Sequence, residues 1–269
     1  MASRSRSGRG FFPVKLYFRQ FGEENLGMPL VLLHGLLGSL VNWQRIARSL
    51  GERYRVIVPD LRNHGRSPHS DDVSYPAMAS DVLELLDDLD IPRVVPVGHS
   101  MGGKAAMVLA LHHADRVERL AVVDIAPVSY SGRLAQLLDA LLALPLDRIE
   151  NRAHADALLA ERVSDKAVRD HMLQNLQRTD NGWRWRNNLL ALRDGLDVIS
   201  GFPEQAPKPY TGKCCFIKGE HSDYIEEQSL PRIRALFPAA EIVEIPAAGH
   251  WVYAEQPQAF VKTLENFLS

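Results

Sequence analysis

Cysteine is almost missing from this chain. Its 269 residues include two, Cys214 and Cys215, side by side. Adjacent residues make poor disulfide partners, because the bond needs a specific Cβ–S–S–Cβ geometry. No CxxC or metal-ligand spacing surrounds them. A disulfide-stapled fold and a cysteine metal site are therefore excluded, and a reducing compartment fits. Long apolar runs are also missing. No stretch approaches the roughly 20 residues of a spanning helix. The opening "MASRSRSGRG" is basic, but "FFPV" after it ends at Lys15, too short for the roughly 7–15-residue apolar region of a secretory signal. Residues 1–12 are expected to be a disordered tail or a remnant, and the protein cytoplasmic. An excess of one charge is lacking too. Thirty-one basic residues against 33 acidic ones leave a net charge of -2, which argues against the basic surface of a nucleic-acid binder. Internal repeats are absent, and no metal or cofactor is implied.

What is present is an ordinary globular composition, 46% hydrophobic and 24% charged. Short apolar runs at 29–34, 55–59, 93–98, 119–124, 213–219 and 241–246 predict strands, several apolar on nearly every residue as buried parallel strands are. Residues 14–21 predict an added edge strand. Helices are expected at about 42–50, 76–90, 102–113, 226–236 and 257–268. Strands alternating with helices argue a mostly parallel α/β sheet, with ligands at the strands' carboxyl ends. The alternation stops between 128 and 208. Four amphipathic segments, starting at Arg133, His154, Ala167 and Trp185, read as helices with no strand between them. We expect a helical cap over 128–208, inserted into a core made of 13–127 and 209–269.

In "VGHSMGGK", Gly98-His99-Ser100-Met101-Gly102 matches G-x-S-x-G, after a strand and before a helix. A serine at that sharp turn takes a strained backbone, and its hydroxyl stands above the sheet beside a helix N-terminus that favours developing negative charge. Ser100 is the expected nucleophile rather than a structural turn residue. "LLHGLLGS" follows the first core strand, so the Leu36 and Met101 amides are expected to form an oxyanion hole. His34 is expected to be a structural hydrogen bonder. Of ten histidines, His250 alone sits between the last strand and the last helix, where its ring reaches the tip of the serine strand. An imidazole near pKa 6.5 accepts the serine proton and returns it to the leaving group.

"HGLLGS", "DLRNHGRS", "GHSMGGK" and "AAGHWVYAEQP", in that order over about 30–257, resemble the α/β-hydrolase superfamily. "DLRNHGRSPHS" with "GHSMGGKAAM" is most similar to the YbfF-like bacterial esterases. The resemblance implies an α/β-hydrolase fold and hydrolysis of short to medium acyl esters, or of acyl-CoA thioesters, without a cofactor. It also exposes a departure. The superfamily's usual acid lies about three residues past the glycine of "KCCFIKG", where this chain has Ser222. Asp223 is next to it, but one step along an extended segment reverses the side chain. Asp124 ends the strand "RLAVVD". If that strand neighbours the serine strand, their tips lie about 4.8 Å apart and Asp124 can reach His250. YbfF-like esterases likewise have a serine in the later slot and an aspartate after the earlier strand. Asp124 is therefore the expected acid, with Ser222 as an auxiliary partner and Asp223 as the alternative.

Leu37, Lys104 and Trp185 are the candidate substrate-binding residues, with Arg184 and Arg186 as further cations for a phosphate-bearing thioester. Asp60, Arg62 and Gly65 are expected to build a tight loop. The small-molecule partner is an acyl ester or thioester, and monomer and homodimer both stay open. The same constellation also serves C–C bond hydrolysis and perhydrolysis, and the fold alone would suit a non-catalytic receptor.

Overall fold

The computed structural model describes residues 13–130, 132–204 and 208–269. The expected tail over 1–12 lies outside these residues. Strand β1 (Phe18–Phe21) pairs antiparallel with β3 (Val56–Pro59). Every other pairing in the seven-stranded sheet is parallel, through β2 (Leu30–Leu33), β4 (Val95–His99), β5 (Leu120–Val123), β8 (Cys214–Gly219) and β9 (Ala240–Ile245). The order is β1-β3-β2-β4-β5-β8-β9. Chain order reverses around β2 and β4, which places the serine strand at the switch point where α/β sheets bind ligands.

Alternation along each strand builds two cores. Leu30 and Leu32 face one side with Val95 and Val97, against Trp43, Tyr253 and Phe260. Trp43 stacks on Tyr253 at 4.0 Å. These rings come from α1 (Leu40–Leu50), the short α9 (Val252–Glu255) and α10 (Pro257–Leu268). Val31, Leu33, Leu120 and Val122 face the other side, against α2 (Tyr75–Asp88) and α3 (Met101–His112). Ser74 caps α2 by accepting from the Ala77 amide, with Pro76 in the first turn. Helix α3 is buried from Met101 through Leu111, so its sequence is apolar all round rather than amphipathic.

The loop after β3 is tied down by buried charge. Arg62 and Asp81 are both fully buried and pair through two bonds of 2.6 and 2.7 Å. Asp60 accepts from the Leu40 and Arg66 amides, and a Cβ on Gly65 would lie 2.2 Å from an Asp60 carboxylate oxygen. The "DLRNHG" stretch is thus a scaffold for the neighbouring loop. Removing one member of a buried pair strands the other, so Asp81→Ala is expected to destabilise the fold by about 3–5 kcal/mol. Urea unfolding of both proteins measures it, and a loss under 1 kcal/mol would contradict the pairing argument.

Between β5 and β8 the chain forms α4 (Arg133–Leu142), α5 (Arg152–Ala160) and α6 (Lys166–Leu173), then α7 (Leu189–Asp194) and α8 (Leu196–Ser200). Two features correct the all-helical expectation. Residues Leu176–Thr179 (β6) and Gly182–Trp185 (β7) pair as an antiparallel hairpin. Asp180-Asn181 makes the turn, and Gly182, paired with Thr179 at its end, sits at φ +106, a conformation that glycine alone adopts cheaply. The segment from Trp185 is also not one helix. It breaks at Gly195, where a Cβ would lie 2.1 Å from a Val73 methyl. Among the described residues no helix is long and apolar enough to cross a membrane.

Candidate active site

Ser100 stands between β4 and α3 with φ 52 and ψ -117. The strain is held by close backbone packing on both sides. A Cβ on Gly98 would lie 2.2 Å from the Gly102 carbonyl oxygen, and one on Gly102 would lie 2.5 Å from that of Leu33. Only glycine permits either approach. The Ser100 amide donates to Val123 O at 3.0 Å, which pins the elbow to β5.

The loop after β2 packs against this elbow, since a Cβ on Gly35 would come within 3.3 Å of Ser100 Cβ. In that loop the Leu37 amide donates to His64 Nε2 at 3.1 Å and the Gly38 amide to Gly35 O at 3.0 Å. Among the described residues, the Leu36 and Met101 amides have no protein acceptor. Two free N–H groups flanking a serine are what a developing oxyanion requires.

His250 Nδ1 lies 2.7 Å from Asp124 Oδ2. Asp124 is fully buried at the end of β5, with φ 51. It also accepts from the Gly219 amide at 3.1 Å and from the Ser222 hydroxyl. The carboxylate thereby holds the proton on His250 Nδ1 and leaves Nε2 as the basic nitrogen. The adjacent-strand argument holds because β5 pairs directly with β4. Asp223 is exposed, and no hydrogen bond joins it to His250. The alternative acid is therefore disfavoured by position.

The other histidines near this point are neutral and engaged. His34 Nδ1 bonds Gly35 O while Nε2 accepts from the Leu61 amide, and burial holds its pKa down to about 4. His64 Nδ1 bonds Arg62 O, and burial takes it to about 3. His99 Nε2 bonds the His250 carbonyl at 2.9 Å, and burial keeps it far below an ordinary imidazole. Its ring lies 4.6 Å from that of His250. Tyr224 stacks on the His250 ring at 3.9 Å and 18°. Tyr130 holds Tyr224 in turn, its hydroxyl donating to Tyr224 O while accepting from the Ala126 amide. Sequence reading missed Tyr130, Tyr224 and the bond of His99 to the His250 carbonyl, because no local spacing marks contacts made across 94 and 151 residues.

The candidate substrate contacts need correction. Lys104 is 2% exposed, and its ammonium donates to Ser200 O at 2.7 Å and Gly201 O at 2.6 Å, 4.9 Å above the Tyr130 ring. It is a strut between α3 and the end of the inserted segment. Leu37 is 2% exposed and packs in the core, its carbonyl accepting from Asn175 of the insertion. Trp185 bonds Leu141 O at 3.2 Å and packs the hairpin onto α4. It also borders a cleft of about 420 Å³ with Arg66, Arg184 and Arg186, a cleft that none of Ser100, His250 and Asp124 lines. Lys104→Met would leave two carbonyls without their charged donor, so we expect a loss of about 2–4 kcal/mol. Thermal unfolding checks this, and an unchanged Tm would contradict the strut.

The chain matches the family model described as alpha/beta hydrolase fold over residues 28–257. It is 41% identical over 265 residues to a mouse protein named sn-1-specific diacylglycerol lipase ABHD11, covering 96% of this chain and 86% of that one. It is 37% identical over 242 residues to esterase YbfF of Escherichia coli, covering 90% and 93%. A solved structure called marine microorganism esterase superposes with a TM-score of 0.91 at 36% identity, covering 94% of this chain and 99% of that one. On its sheet topology and these matches, the chain belongs to the α/β-hydrolase fold family.

Proposed function

We propose that this protein is a serine carboxylic-ester hydrolase that works through an acyl-enzyme on Ser100. The observation that carries the reading is the His250–Asp124 bond of 2.7 Å, formed by two strand-end residues beside the strained serine turn. Ser100 Oγ attacks the ester carbonyl as His250 Nε2 takes its proton. The Leu36 and Met101 amides receive the oxyanion, and losing one such donor typically costs about 3–4 kcal/mol. Collapse expels the alcohol, which leaves with the proton from His250. Water, deprotonated by the same nitrogen, then releases the acid. Asp124 stabilises the imidazolium in both halves, with Ser222 and the Gly219 amide fixing the carboxylate. The esterase and lipase names of the relatives support the same reaction class.

Short to medium acyl chains are the favoured substrates. The cleft holding Arg66, Arg184 and Arg186 favours a second reading, in which the leaving group is a phosphate-bearing thiol. Hydrolysis of p-nitrophenyl esters from acetate upward, with fluorophosphonate labelling followed by peptide mass analysis, tests the proposal. Turnover that declines with acyl length, together with mass added at Ser100, is the expected result. Folded protein that neither turns over an ester nor takes the label would overturn it.

A further inference from the structure

We propose that His171 is a specificity residue of the insertion, presenting an Nε2–H donor to an acceptor oxygen in the alcohol half of the substrate. This rests on the ester-hydrolase reading above. His171 lies in the last turn of α6, and its ring is 5.4 Å from that of Trp251, the residue after His250. Among the described residues of the insertion, it is the histidine in ring contact with the neighbour of His250.

The tautomer follows from a chain of hydrogen bonds. The Ser39 amide donates to Asn42 Oδ1 at 2.7 Å. That contact fixes which end of the Asn42 amide is oxygen, since the swapped orientation would set two donors against each other. Asn42 Nδ2 then faces His171 Nδ1 at 3.4 Å, as donor to acceptor. With Nδ1 accepting, the ring proton of the neutral imidazole sits on Nε2. Nε2 has no partner among the described residues, and it is not among the buried unsatisfied atoms, so it opens to solvent. Burial, with the nearby His250 charge adding to it, holds the pKa down to about 4. The group therefore remains a neutral donor across the range in which an imidazole base works.

The side of the substrate follows from the mechanism. The leaving oxygen must lie beside His250 to receive its proton, and Trp251 links His250 to His171 through ring separations of 5.9 and 5.4 Å, so we take the alcohol half to run along Trp251 towards His171. The ligand chemistry is an alcohol portion carrying a second oxygen, such as a hydroxyl or ether, a few bonds from the ester. A site built around a donor rejects the analogue that leaves it unpaired.

The test compares kcat/KM for 2-hydroxyethyl butyrate and ethyl butyrate in wild type, His171→Phe and His171→Gln. Wild type is expected to favour the hydroxylated ester by about five- to tenfold, the scale of one hydrogen bond. The ratio should fall towards one in His171→Phe and recover in part in His171→Gln, which keeps an N–H donor. An equal ratio in all three proteins, with Ser100 still labelled by fluorophosphonate, overturns the role of His171 and leaves the hydrolase reading standing. Wild type that shows neither turnover nor labelling overturns both. Nitrogen-15 NMR of the imidazoles gives a readout independent of turnover. The neutral Nε2–H form of His171 should persist down to about pH 5, and finding the proton on Nδ1 would refute the inference.

Discussion

Ser100→Ala is expected to lower kcat for p-nitrophenyl butyrate by about 10⁶-fold, with the fold retained. Serine-hydrolase nucleophiles act as a unit with their base, so deleting the nucleophile removes nearly all of the chemical step. What survives is positioning and oxyanion stabilisation, worth roughly 10³–10⁴ over water. The variant should be stable. Alanine carries the same Cβ through the φ 52 turn, and the Ser100 side chain makes no cap hydrogen bond to α3. Circular dichroism melts check the fold, and active-site-titrated kinetics check the rate. A loss under tenfold would mean that the acyl group is carried elsewhere.

Asp124→Asn should cost about 10⁴-fold in kcat, while Asp223→Asn stays within about threefold. The reason is the proton on His250. Asp124 Oδ2 accepts from both His250 Nδ1 and the Ser222 hydroxyl. An amide there brings N–H to the imidazole and favours the tautomer with the proton on Nε2, which leaves no lone pair for Ser100. The loss should sit in kcat rather than KM, because the substrate does not touch a fully buried carboxylate. Equal losses in the two variants would return Asp223 to the triad, and the reverse pattern would replace Asp124 with it.

The sheet and the nucleophile turn were legible because their signals are local. Buried parallel strands read as unbroken apolar runs, and "LVLL", "VIVP" and "LAVV" are buried at every position. Gly98 and Gly102 bracket Ser100 because backbone atoms approach within a Cβ's space, a demand that shows directly as residue type. The insertion was read less well. "LQRTDNGWRW" continues the apolar spacing of the helix before it, and only the turn residues Asp180-Asn181 with Gly182 after them betray the hairpin. Lys104 illustrates a different failure. A cation beside a catalytic motif suggests substrate, yet its stem runs through the core to two carbonyls 96 and 97 residues away.

The sequence by itself determined the fold class and the strand-end placement of Ser100 and His250, while the vacancy of the usual acid position at Ser222 came from the family resemblance. Period, turn chemistry and chain order carry that information, because each depends on neighbours within a few residues. Tertiary structure alone set Asp124 rather than Asp223 against His250, turned Leu37, Lys104 and Trp185 into packing residues, and brought His171 against Trp251. Those outcomes depend on which strand lies beside which, and on how a segment folded from residues after β5 settles on the loop and helix α1 that follow β2. Such contacts are set by the summed packing of the whole chain, and no short window of sequence contains them.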